Sequence, residues 1–118
     1  MDARLPKSER LSGKKTVEGL MTRGERCGAG CLRCRYMPNG LDINRILVSV
    51  PQRSFKRAVK RNLLTRRIRE SSRQQKDLLK AGFDLMFVYG PRDILPFSVV
   101  DADMTALLGR IAAETAAD

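Results

Sequence analysis

Histidine and tryptophan are absent from this 118-residue chain, and aromatic residues make up only 5% of it. Without histidine, no Ser-His or Cys-His nucleophilic pair can form and no imidazole can ligate a metal. No Gly-rich phosphate loop precedes a helix, so the equipment of an autonomous nucleotide-binding enzyme is missing as well. With so few rings, the core must be built mainly from Leu, Ile, Val and Met. The chain contains no apolar run of the roughly 18 residues a membrane span needs, and its N-terminus lacks the apolar centre of a secretory signal. A cytoplasmic protein with no membrane partner is the expectation.

Acidic residues are scarce where bases are dense. The chain carries 23 Lys plus Arg against 13 Asp plus Glu, a formal net charge of +10. Residues 1–83 hold 21 of the bases and 7 of the acids, whereas residues 84–118 hold 2 bases and 6 acids. Such an excess is the electrostatic footprint of a polyanion binder, and the polyanion should meet the first two thirds of the chain.

Cysteines number three, Cys27, Cys31 and Cys34, so they cannot all pair within one chain. Their C-x₃-C-x₂-C spacing is also that of a cluster-binding motif in radical S-adenosylmethionine enzymes, but such enzymes need a barrel of about 200 residues, which this length does not provide. A zinc site would need a fourth ligand, Glu25 or a cysteine of another chain. The competing reading is reduced cysteines that pack as small hydrophobes, with no metal bound.

The length suits one domain spanning residues 1–118, with one modest core. Residues 1–16 read as a flexible basic arm, and 17–113 as the folded core. Val17, Leu20 and Met21 recur at helical spacing ahead of Gly24. CLRCRYM (31–37) alternates like a half-buried strand, with Cys31, Arg33 and Arg35 on one side and Leu32, Cys34 and Tyr36 on the other. RILVSV (45–50) predicts a second strand, paired with the first as a hairpin or near neighbour. Residues 57–80, free of Gly and Pro, predict the longest helix, ended by Gly82. FDLMFVY (83–89) predicts a buried strand. Ser98 and Asp101 resemble a capping box for a terminal amphipathic helix through Val100, Met104, Leu107, Leu108 and Ile111.

The long helix carries the function. Arg53, Lys56, Arg57, Lys60, Arg61, Arg66, Arg67, Arg69 and Arg73 are interrupted by a single acid, Glu70. At about 100° per residue, Asn62, Arg66, Arg69 and Arg73 share an arc of roughly 60°, while Leu64, Ile68, Gln75 and Leu79 lie on another. A solvated charged face normally interleaves Glu with Lys or Arg four residues apart, which this segment almost wholly lacks. An acidic membrane surface would want a stronger apolar face. A nucleic acid remains, held by guanidinium forks that match phosphate oxygens two at a time.

AVKRNLLTRRIRE (58–70), preceded by SVPQRSFKR and followed by GFDLMFVYGPRDILPFS, resembles the signature helix and flanks of the bacterial ribonuclease P protein. The match falls on Ala58, Val59, Arg61, Asn62, Arg66, Ile68, Arg69 and Glu70, while Leu63 and Thr65 stand where the family usually has bases. The resemblance covers about residues 10–111. It implies an α+β fold, a two-layer sandwich of about four strands and three helices with a left-handed βαβ crossover, opposite to the general rule. It also implies that the polar and basic residues from Arg53 to Arg73 bind the ribonuclease P RNA. A cleft lined by Val17, Met21, Tyr36 and Ser49 would hold the 5′ leader of precursor tRNA. In that family the chemistry belongs to the RNA and its Mg²⁺, so the protein has no catalytic residue and no cofactor of its own, and DNA is not a partner. A ribosomal or ribosome-assembly RNA-binding protein is the competing class.

Overall fold

Period-two alternation in the apolar runs builds a four-stranded sheet, and period-3.6 stripes lay helices on it. The computed structural model describes residues 7–80 and 82–115. In chain order these form a 3₁₀ turn Lys7–Glu9, α1 Lys14–Arg23, β1 Glu25–Ala29, β2 Leu32–Pro38, β3 Arg45–Ser49, α2 Ala58–Gln74, a second 3₁₀ turn Lys76–Leu78, β4 Phe83–Tyr89 and α3 Phe97–Thr115. The strand order is β1-β2-β4-β3, antiparallel except for the parallel pair of β3 and β4. α2 bridges that parallel pair, making the βαβ unit of the α+β fold.

The sheet has two unequal faces. Leu32, Cys34 and Tyr36 of β2 join Leu85, Phe87 and Tyr89 of β4 in the main core, where they meet Leu64 and Ile68 of α2 and Val100, Met104, Leu107, Leu108 and Ile111 of α3. The intervening residues, Met37, Leu47, Met86 and Val88, face the other way. They pack with Val17 and Leu20 of α1 and with Leu11 in a smaller cluster. α1 covers only part of this second face.

The fold narrows one expectation, on the strands, and corrects those on the arm, the long helix and the capping box. β2 and β3 are near neighbours and not a hairpin: β4, whose burial runs unbroken from Asp84 to Phe87 as in a central strand covered on both faces, lies between them. The expected free arm is held from Arg10 on. Leu11 is buried, its N–H donates to the Ile46 carbonyl at 2.9 Å, and Arg10 bridges Ile46 on the edge of β3, while α1 already begins at Lys14. Residues 1–6 of that arm lie outside the described residues. The basic helix stops at Gln74, not at residue 80, and with 17 residues it is shorter than α3 with 19, so it is not the longest helix. Asp101 of α3 accepts hydrogen bonds from Ser71 Oγ at 2.6 Å and Gln75 Nε2 at 2.8 Å, and the chain turns there so that Leu79 enters the core. Asp101 is therefore not half of a capping box. α3 starts one residue before Ser98, with Val99 and Val100 donating to the Pro96 carbonyl.

Gly30 turns the β1–β2 hairpin with φ +55, and a Cβ there would collide with the Asp103 carboxylate of α3. That carboxylate accepts the Cys31 N–H at 2.9 Å, tying the hairpin to the helix layer. Gly30→Ala should cost about 2 kcal/mol, from left-handed strain and the displaced Asp103, measured as a lower urea midpoint. An unchanged midpoint would mean the turn is not held by α3. At the far end of the sheet, Asp84 is buried and accepts Arg45 Nε at 2.8 Å and Nη2 at 2.7 Å, plus Asn39 Nδ2 at 3.0 Å. This network locks β3, β4 and the end of β2 in register.

Candidate nucleic-acid interface

Leu64 and Ile68 bury one side of α2 completely, which fixes where its basic residues point. Asn62 and Arg66 are exposed and Arg69 is half-buried at the surface. The side chains of Arg53, Lys56, Arg57, Lys60, Arg66 and Arg69 make no hydrogen bond or ion pair among the described residues, so their charges are available to an anion. The remaining three bases are engaged. Arg61 Nη1 donates to the carbonyls of Phe55 at 2.6 Å and Lys56 at 2.9 Å, holding the loop that enters α2. Arg67 Nη1 donates to the Leu95 carbonyl at 2.7 Å, holding the β4–α3 loop. Arg73 pairs with Glu70 at 2.6 Å, one turn away on the same helix. This pair holds the Glu70 carboxyl below its ordinary value and raises the guanidinium's. Thr65, at a position the family usually fills with a base, turns its hydroxyl back to the Arg61 carbonyl at 2.8 Å.

The second face of the sheet forms a groove of about 550 Å³ beside α1. Met21, half-exposed, borders it with Arg26, Arg33, Arg35, Met86 and Val88. Arg26 stands directly opposite Arg35 across the β1–β2 ladder. Like charges in that position repel, and among the described residues no acid lines the groove to offset them. Arg35 Nη1 donates to the Met21 carbonyl at 2.7 Å, anchoring the end of α1, while Arg26 and Arg33 are exposed and without a partner among the described residues.

Of the cleft residues expected from sequence, Val17 and Met21 lie on α1 at this face, and Ser49 shares the parity of Leu47 on β3. Tyr36 does not belong to the cleft. It is 4% exposed on the opposite face, its hydroxyl bonded to Glu114 of α3 and its ring edge-on to Phe83 at 6.2 Å. Burial and the Glu114 carboxylate raise its pKa well above the ordinary phenol value. The groove residues that sequence reasoning missed, Arg26 and Arg33, had a signal available: in CLRCRYM the arginines alternate with Leu32, Cys34 and Tyr36, so an apolar core on one face puts Arg33 and Arg35 on the other.

The cysteines are free thiols. Cys31 is buried in the same core as Cys34 and not on the arginine side, because it sits in the turn ahead of β2 and escapes the strand's alternation, while Cys27 is half-buried and stands opposite Cys34 in register. Among the described residues no three His, Cys, Asp or Glu side chains are grouped to hold a metal ion. Burial, then the neighbouring Asp103, pushes the Cys31 thiol up to about 12, and burial raises Cys34 further. The folded chain thus holds these protons more tightly than the unfolded one, whose thiols titrate near 9.0. Their contribution is complete below that pH and is lost as pH rises above it. The urea midpoint should therefore fall as pH rises from about 9 toward 12, and fall less in Cys31→Ala. Equal declines in both proteins would remove Cys31 from the effect.

Comparisons with known proteins agree on one lineage. A family model described as Ribonuclease P matches residues 5–112. The chain is 35% identical over 105 residues to the ribonuclease P protein component of Petrotoga mobilis, covering 89% of this chain and 86% of that one. It is 35% identical over 82 residues to the same component of Nitrosococcus oceani, covering 70% and 68%. Its fold is similar to the solved RNase P proteins of Thermotoga maritima (TM-score 0.78, 24% identity, 86% and 96% covered) and Staphylococcus aureus (TM-score 0.79, 20% identity, 89% and 96% covered). With Arg66 and Arg69 of α2 unpaired among the described residues and a family model matching residues 5–112, the chain belongs to the ribonuclease P protein family.

Proposed function

We propose that this chain is the RNA-binding subunit of a ribonuclease P ribonucleoprotein, promoting endonucleolytic removal of the 5′ leader from precursor tRNA in the cytoplasm. The observation that carries the reading is α2: one side is sunk in the core by Leu64 and Ile68, and the other presents Arg66 and Arg69 with no acid paired to either among the described residues. Such a face suits the phosphates of a folded RNA, taken here as the ribonuclease P RNA. The arginine-lined groove beside α1 suits a single strand, taken as the leader. The hydrolytic chemistry is assigned to the RNA and its Mg²⁺. Arg61 and Arg67 act as positioning residues, fixing the two loops that flank the RNA-facing side of α2. A ribosomal role would use the same basic helix, but the relatives sharing 35% identity carry the ribonuclease P name. No helix among the described residues is long and apolar enough to cross a membrane.

Cleavage of a precursor tRNA at low Mg²⁺ by a bacterial ribonuclease P RNA, with and without the protein, tests the proposal. Rescue of cleavage at the mature 5′ end is expected. Binding to that RNA without any stimulation would move the chain to the ribosomal class.

A further inference from the structure

Every aromatic ring of the chain lies away from the groove beside α1. Of the six, Tyr36, Phe55, Phe87 and Tyr89 are buried in the core under α2 and α3, Phe83 packs against the same core, and Phe97 opens α3 in the helix layer. The groove is floored instead by Met86 and Val88 and edged by Met21, with Arg26 and Arg33 as its free charges. Among the described residues no Asn, Gln, Ser or carboxylate side chain borders it, so little is there to read base edges by hydrogen bonds. Thioether and aliphatic surfaces touch any base alike. The two arginines are therefore the directional contacts, and guanidinium forks match phosphate.

Resting on the reading that this groove takes the leader, we propose that it grips single-stranded RNA by its phosphates, through Arg26 and Arg33, and does not discriminate among bases. Base selectivity in single-strand binding comes largely from stacking strength, and the groove has no ring to stack on. Arg35 is a positioning residue here: its guanidinium is spent on the Met21 carbonyl, so it sets the groove's width by holding the end of α1 against the sheet.

The test has two arms, both with the full-length protein. In the first, the protein alone binds fluorescein-labelled ten-nucleotide strands of U, C or A across a salt series. Affinities within about threefold of one another are expected, with the log-log salt slope falling by about 0.7 for Arg26→Gln and again for Arg33→Gln. Both side chains are exposed and unpartnered among the described residues, so these variants should fold, which circular dichroism checks. A preference beyond about tenfold for one base, or a slope unchanged in both variants, overturns the proposal. In the second arm, the protein reconstituted with ribonuclease P RNA cleaves precursors whose leaders are all U or all A. Equal stimulation is expected, and strong selectivity overturns the proposal while leaving the subunit assignment intact. No stimulation of either precursor, with composition-blind and Arg26-dependent binding in the first arm, overturns the leader assignment and leaves a phosphate-gripping groove for another single strand.

Discussion

Replacing Arg66 and Arg69 together by alanine should weaken binding to ribonuclease P RNA by roughly a hundredfold, since a charge-assisted hydrogen bond is worth about 1.5 kcal/mol or more and two are removed. The log-log salt slope should fall by about two units, close to one per lost phosphate contact. Urea stability should hardly move, because neither side chain has a partner among the described residues. The combination matters: lost affinity with an unchanged salt slope would mean the helix had shifted rather than shed phosphate contacts. A variant that still binds tightly would take α2 out of the interface. The same double substitution at Arg61 and Arg67 should behave differently. These guanidiniums hold the Phe55–Lys56 and Leu95 carbonyls, so their loss should lower both stability and affinity.

Ile68→Ala should give the mirror-image result. Ile68 is fully buried between α2 and the sheet, one residue from Arg69 in sequence and about 100° around the helix from it. Truncation removes apolar contacts and leaves a cavity, at a cost of about 3 kcal/mol. Against the roughly 5–15 kcal/mol that typically holds a domain together, this is a large fraction, and the urea midpoint should drop accordingly. With protein concentration and temperature set so that the variant is still folded, its salt slope on the RNA should match that of the unaltered chain. A reduced slope would show that docking of α2 on the core and presentation of its arginines are coupled.

The division between those two results is legible in the sequence, because helical periodicity alone separates Leu64 and Ile68 from Arg66 and Arg69. β4 is equally legible: FDLMFVY is apolar on both faces and bounded by turn residues, and it forms Phe83–Tyr89. The apolar stripe of α3 is buried at all five expected positions, Val100, Met104, Leu107, Leu108 and Ile111. β1 is not legible, since ERCGA has neither apolar alternation nor β-branched residues. It exists because the turn at Gly30 folds it back on β2.

Composition and local pattern by themselves determined that this chain is a histidine-free, strongly basic α+β protein whose most basic helix has a core side and an anion side. Those properties follow from charge count and from periods of 2 and 3.6, which any segment carries within itself. Only the tertiary structure decided which strands are neighbours, which parity of β2 meets the helices and which is left open, and which arginines are already spent on carbonyls. Strand order depends on contacts between residues far apart in the chain, such as Arg45 with Asp84, and no local pattern encodes them. Tyr36 shows the consequence. Alternation put it opposite Arg33 and Arg35, but only the docking of α3, with Glu114 reaching its hydroxyl, made its side the core and theirs the groove.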